Sequence, residues 1–182
     1  MKIEKESKIN YNMNYRIISV IGYSGSGKTN FITTATELLK KKMNYTVAVI
    51  KNIKHHPIDK KGKDSYKFTE IGATYSVIQN DNNESAIFLK KEEIKLELLL
   101  KWLYNGPYKF ELVFTEGFRN LNNPTVLCIS NLNEVEEQLT KDVKMISGVI
   151  SFKDLKNKNI SDLPIVDIKS QFPRFLEIFN IV

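Results

Sequence analysis

Short apolar runs alternate with amphipathic stretches along most of this chain. Arg16-Ile17-Ile18-Ser19-Val20-Ile21 and Thr46-Val47-Ala48-Val49-Ile50 are short enough to be buried strands, and between them Phe31, Ile32, Ala35, Leu38, Leu39 and Met43 recur at helical spacing. The helix so predicted ends in Lys40-Lys41-Lys42, cations that suit the negative end of a helix dipole. Residues 52–64 then turn polar and are broken by Pro57 and Gly62, a long loop. Asp64-Ser65 opens a short helix ending near Gly72, and strands are expected over residues 74–78 and 85–89, separated by the turn-forming Asn80-Asp81-Asn82-Asn83. The period over residues 91–104 predicts a helix burying Ile94, Leu98, Leu99, Trp102 and Leu103, stopped by Gly106-Pro107. Leu112-Val113-Phe114-Thr115 is a strand that runs into Glu116-Gly117-Phe118. Further strands are expected over residues 126–129, 145–150 and 164–168, with a closing helix over 172–179. Strands alternating with helices predict an α/β fold, a mostly parallel sheet flanked by helices, with its ligand at the carboxyl ends of the strands.

The segment between the first strand and the first helix carries the chemistry. Gly22-Tyr23-Ser24-Gly25-Ser26-Gly27-Lys28-Thr29 fits the phosphate-binding loop pattern G-x-x-x-x-G-K-[ST] at every fixed position, in the strand-loop-helix context that pattern requires. Gly22, Gly25 and Gly27 permit the backbone dihedrals that turn successive N–H groups inward, and the helix aims its positive end at the same anion. Ser24, Ser26 and Asn30 lie on this loop and the first helical turn, among the phosphate-contacting candidates. Lys28 is the mobile point charge for β- and γ-phosphate oxygens, and the Thr29 hydroxyl is the candidate ligand of a bridging Mg2+. The expected architecture is therefore P-loop NTPase-like, over residues 14–182 as one nucleotide-binding domain. Residues 1–13, without an apolar segment, are expected to form a flexible arm and neither a signal peptide nor a membrane anchor.

Such a loop needs an acidic group on a neighbouring strand end. Glu116 is in that place, with Gly117 behind it to let the backbone pass close to the ligand. Glu111 is expected to face solvent. Asp64 is a second candidate, for the magnesium shell or as a helix cap. His55-His56 without a nearby cysteine does not make a closed zinc site. The guanine-reading Asn-Lys-x-Asp pattern is absent, since Ile160 follows Asn157-Lys158-Asn159, and motifs alone leave GTP and ATP open.

Composition narrows this only modestly. At 182 residues, 42% hydrophobic and 26% charged, the chain is an ordinary globular protein in make-up, long enough for one sizeable core. The single cysteine, Cys128, excludes an intramolecular disulfide and lies in an apolar run, as a core residue would. A cytoplasmic location is expected. A net charge of +6 raises the question of nucleic acid, but the lysines are spread over every segment, so a solvated surface and an anionic small-molecule site are favoured. Neither a membrane nor a nucleic-acid partner is expected.

The GYSGSGKT loop, Ala48-Val49-Ile50-Lys51 leading to His55-His56, Gly62-Lys63-Asp64-Ser65-Tyr66, Gly72-Ala73, and Leu112 through Phe118 occur in an order that resembles the MobB family of molybdopterin-guanine dinucleotide biosynthesis. The resemblance covers residues 14–182. It implies a dimeric P-loop protein that binds GTP with Mg2+, hydrolyses it slowly at best, and assists a MobA-type nucleotidyltransferase that joins GMP to molybdopterin. It implies phosphate contacts from Gly25, Gly27, Lys28 and Thr29 and nucleotide or metal roles near Asp64 and Glu116, with Lys28, Asp64 and Glu116 as the catalytic candidates. Asn52, where such sequences often have histidine, and Thr125 after Pro124, where lysine is usual, depart from the pattern. The rival enzyme class is a P-loop small-molecule kinase using ATP or GTP. Its phosphate lid usually carries arginines, and Arg16, Arg119 and Arg174 lie far apart here. A third class is a nonenzymatic module presenting the lysine loop to a partner or to an anionic pterin.

Overall fold

The computed structural model describes residues 15–54, 56–89, 94–119, 121–152 and 159–182. The N-terminal arm expected over residues 1–13, His55, the start of the helix expected from residue 91, and Asn157-Lys158 lie outside these. The chain divides into two compact units, residues 1–52 with 108–182 and residues 53–107.

The first unit is built on a five-stranded sheet. Its strands are β1 (Arg16–Ile21), β2 (Val47–Lys51), β5 (Leu112–Glu116), β6 (Thr125–Cys128) and β7 (Val143–Ser147), in the order β2-β5-β1-β6-β7. Every pairing is parallel. This is the P-loop NTPase-like layered arrangement expected from the alternation of elements. All of β5 and β6 is buried, as continuous apolar runs in a sheet covered on both faces should be.

Alternation along the strands sends two sets of side chains to two faces. On one face Ile18, Val20, Phe114, Val126, Cys128 and Met145 pack with Phe31, Ala35 and Leu39 of α1 (Lys28–Met43) and with Phe172 and Phe175 of α5 (Phe172–Ile178). The aromatic centre is edge-to-face, with Phe31 ring centroids 6.3 Å from Phe114 and 5.9 Å from Phe175. On the other, Leu127, Ile129, Ile146 and Ile165 pack with Val135 of α4 (Glu134–Gln138), a short helix that the sequence pattern did not single out, and with Ile150. Helix α1 stops at Asn44, whose left-handed φ of 56° lets its N–H reach the Lys40 carbonyl, with the three lysines in its last turn. At the start of β5, the Glu111 carboxylate accepts bonds from the Thr46 N–H at 2.6 Å and the Thr46 hydroxyl at 2.8 Å. These bonds hold its carboxyl below the usual range, although the residue is exposed as expected.

Two expected strands are shorter. The run expected over 145–150 ends at Ser147, because Gly148 takes a φ of 87° and turns the chain into a 3₁₀ segment, Val149–Phe152. The run expected over 164–168 gives only a parallel bridge from Ile165 to Ile146 after the small hairpin of β8 (Asn159–Ile160) and β9 (Leu163–Pro164). Asp167 ends it: its carboxylate captures the Lys169 N–H at 3.1 Å and the Ser170 hydroxyl.

The second unit contains α2 (Asp64–Glu70), a hairpin of β3 (Ser76–Gln79) and β4 (Ser85–Phe88), and α3 (Leu96–Tyr104). The hairpin is a separate antiparallel sheet, since the tight turn between its strands is far too short for a parallel crossover. Asn80 shapes that turn by accepting the N–H groups of Asn82 and Glu84 at 2.9 and 3.0 Å. Helix α3 overturns the expected burial. Leu100 is its buried residue, whereas Leu98 is 60% and Trp102 41% exposed. Among the described residues no helix is long and apolar enough to cross a membrane.

Phe175 joins α1, α5 and the sheet, so Phe175→Ala is expected to lower unfolding free energy by about 3–5 kcal/mol in a denaturant titration. A loss under about 1 kcal/mol would show that this aromatic centre does not hold the unit together.

Candidate functional site

The loop between β1 and α1 emerges at the carboxyl edge of the sheet, where the central strands converge. Gly22, Gly25 and Gly27 all have positive φ, 144°, 77° and 93°, as a loop folding its amides inward requires. At Gly22 the demand is steric as well. A Cβ there would sit 2.1 Å from the Cys128 carbonyl oxygen, so β6 passes directly behind the loop. Ser26 is buried, and its hydroxyl has no hydrogen-bond partner. Ser24 and Asn30 are exposed, Asn30 in the first turn of α1. The Lys28 ammonium donates to the carbonyls of Gly22 at 3.0 Å and Tyr23 at 2.6 Å, which pins it over the loop.

Strand register delivers the acid. Val20 of β1 is paired with Glu116 of β5, and the Gly117 N–H donates to the Val20 carbonyl, so the carboxylate leaves the sheet at the level where the loop begins. Glu116 is only 6% exposed. The Thr29 hydroxyl donates to its two oxygens at 3.4 and 3.3 Å, bringing together the two residues expected to hold a magnesium ion. A hydroxyl beside a buried carboxylate at a helix N-terminus is an all-oxygen donor set of the kind Mg2+ prefers, so these residues fit the ion. Lys51, at the end of β2, completes the cluster with its Nζ 3.2 Å from Glu116 Oε1.

Asp64 belongs to the second unit. There it is the first residue of α2, which Lys63 caps through its backbone alone, and its carboxylate pairs with Lys67 at 3.1 Å. The expectation that Asp64 caps the helix is thus corrected by one residue. Next along the chain, the buried Ser65 donates to Asp59 at 2.9 Å. His56 is exposed. Cys128 is fully buried, and burial pushes its thiol far above the ordinary thiol range, so it is a core residue and not a nucleophile at neutral pH.

Some of the site was not foreseen. Gly148 braces the loop from behind: a Cβ on it would lie 2.2 Å from the Ser26 carbonyl, which accepts the Val149 N–H at 3.1 Å. A glycine inside an apparent strand run signals close backbone approach, and that signal was available in the sequence. Tyr23, at the exposed edge of the loop, donates to Glu137 of α4 at 2.6 Å, which raises its phenol above the usual range, and its ring carries the Arg119 guanidinium at 5.5 Å. Arg119 in turn donates to Gln138 at 2.8 Å. No local pattern announces contacts across such sequence distances.

Residues 17–151 match the family model of MobB, molybdopterin guanine dinucleotide synthesis protein B. The molybdopterin-guanine dinucleotide biosynthesis adapter protein of Haemophilus influenzae is 30% identical over 61% of this chain and 61% of its own length. A Methanocaldococcus jannaschii protein, provisionally given the same name, is 34% identical over 64% of this chain and 48% of its own. The chain therefore spans only about half to three-fifths of the curated relatives it matches. The crystal structure of Bacillus subtilis MobB shares the fold, with a TM-score of 0.69 at 20% identity over 91% of this chain and 98% of that one.

The bracing of the loop by Gly148 predicts a contrast between two glycines of similar φ. Gly148→Ala should destabilise the protein by about 2 kcal/mol or more in thermal or denaturant unfolding, through positive φ and a backbone clash together. Gly62→Ala, with φ of 94° in open space, should cost about 1 kcal/mol. Equal losses would mean that the loop is not braced in this way.

Proposed function

This chain belongs to the MobB family of molybdopterin guanine dinucleotide synthesis, and from that premise we propose that it is a GTP-binding adapter assisting a MobA-type nucleotidyltransferase, the partner that joins GMP to molybdopterin. The observation that carries the proposal is the meeting of the glycine loop, Lys28, Thr29 and Glu116 within one cluster at the sheet's carboxyl edge. The word adapter in the relatives' names supports an accessory role over a synthetic one.

In this reading the inward amides of the loop and the N-terminus of α1 hold the β- and γ-phosphates, and Gly25, Gly27, Ser24, Ser26 and Asn30 supply contacts along the polyphosphate. Lys28 releases the loop carbonyls and adds a full positive charge to the phosphate oxygens. Thr29 and Glu116 would hold Mg2+, which when bound neutralises phosphate charge. Glu116 keeps one water ordered near the terminal phosphate. Slow hydrolysis, as a timing step more than turnover, follows from the adapter role in this reading.

Calorimetric titration in the presence of Mg2+ tests the nucleotide. GTP should bind more tightly than ATP, and Lys28→Ala should weaken binding by more than about tenfold, roughly 1.4 kcal/mol. A preference for ATP, with turnover stimulated by an added metabolite, would favour a small-molecule kinase instead.

We further propose that the second unit pairs with the same unit of a second copy. Val77 and Ile87 face each other across the hairpin while 60% and 45% exposed, and Leu98, Leu99, Trp102 and Tyr75 line an apolar groove of about 180 Å³. Exposed side chains of this size in contiguous groups mark association surfaces. Light scattering should give a dimer mass for the wild type and a monomer mass for Leu98→Asp. A monomeric wild type at tens of micromolar would refute the pairing.

A further inference from the structure

The ion pair between Lys51 and Glu116 lies on the groups that would hold magnesium. Lys51 ends β2 in direct register with Glu116 on β5, so both side chains leave neighbouring parallel strands at one level. Its Nζ lies 3.2 Å from Glu116 Oε1 and 3.5 Å from Thr29 Oγ1. These are the two groups that a metal at the phosphate loop would ligate, and they also lie 3.3–3.4 Å from each other. One ammonium is thus shared between both ends of the magnesium donor set. A magnesium ion needs oxygen ligands at about 2.0–2.1 Å, so an ammonium on the same carboxylate and hydroxyl competes with it for their lone pairs, and two cations there repel. The burial is unequal: the Glu116 side chain is 8% exposed and that of Lys51 48%. The acid is fixed in the protein, while the lysine, on a flexible stem at the strand end, is the partner able to move.

We propose that Lys51 is a positioning and sensing cation of the phosphate site. It holds the Glu116 carboxylate in place before nucleotide arrives, gives up that carboxylate to the incoming magnesium, and transfers its charge to the terminal phosphate of a nucleoside triphosphate. A diphosphate offers no such acceptor, so displacement of Lys51 by a metal–diphosphate leaves the lysine uncompensated. The residue therefore biases the site toward triphosphate and makes metal binding depend on it. This rests on the phosphate-site reading above.

Two measurements on Lys51→Met test it, with Lys51→Gln as a second neutral variant should the first not fold. The first is direct Mn2+ binding to nucleotide-free protein by electron paramagnetic resonance. Removing the competing ammonium should tighten Mn2+ binding by about tenfold, whereas a merely structural ion pair would leave it unchanged or weaken it. The second is the ratio of affinities for a nonhydrolysable GTP analogue and for GDP, each with Mg2+. That ratio should fall about fivefold or more in the variant and be largely restored in Lys51→Arg. A wild type that binds both nucleotides, with variants that change neither the Mn2+ affinity nor the ratio, would overturn the role of Lys51 alone. A wild type that binds neither nucleotide would overturn the phosphate-site reading, while the Mn2+ comparison would still decide whether Lys51 competes for the metal.

Discussion

The organisation of this protein depends on parallel register at the carboxyl edge of one sheet. Five strands in parallel end together, and the pairing of Val20 and of Lys51 with Glu116 brings a loop, an acid and a lysine from three strands to one level. A slip of one residue in β5 would turn Glu116 to the opposite face and replace it with Thr115 or Gly117. Burial of β5 on both faces fixes that register, because a slip would exchange Leu112 and Phe114 in the aromatic core for the smaller Val113 and a polar neighbour, Thr115 or Glu111. Hydrophobic patterning away from the loop thus determines where the charges stand.

Much of this was legible in the sequence, for reasons that differ by element. The glycine loop and α1 could be read because a glycine spacing and a helical period fall next to each other, and each is a local property. Glu116 could be read because an acid directly after a buried strand has one obvious place to go. The family pattern added the expectation of GTP and of a transferase partner, which no period or spacing supplies. Lys51 and Gly148 were visible as residues, yet their roles depend on register and on close backbone approach, which arise only when distant segments pack. The Tyr23, Arg119 and Glu137 contacts are of the same kind.

Misreadings concentrate in the second unit, and they share a cause. The period over α3 was correct in placing a helix, but a helical period says which side chains share a face and not whether anything covers it. Leu98 and Trp102 share such a face and remain largely exposed. The strands expected over residues 74–78 and 85–89 are present as β3 and β4, and the short Asn80 to Asn83 turn between them dictates an antiparallel hairpin that forms its own sheet, which apolar content alone does not reveal.

The second unit enters the chain between β2 and β5, which are adjacent and parallel. Its first residue therefore follows the top of one strand and its last precedes the bottom of the next. The whole segment performs the topological duty of a return crossover, travelling back along a five-residue strand of roughly 17 Å. Excision with a tight turn in its place would reverse the polarity of β5 and strand its acid at the opposite edge. Evolution can resize or decorate this segment, but the distance its ends must bridge sets a floor beneath which the cluster of Thr29, Lys51 and Glu116 would come apart.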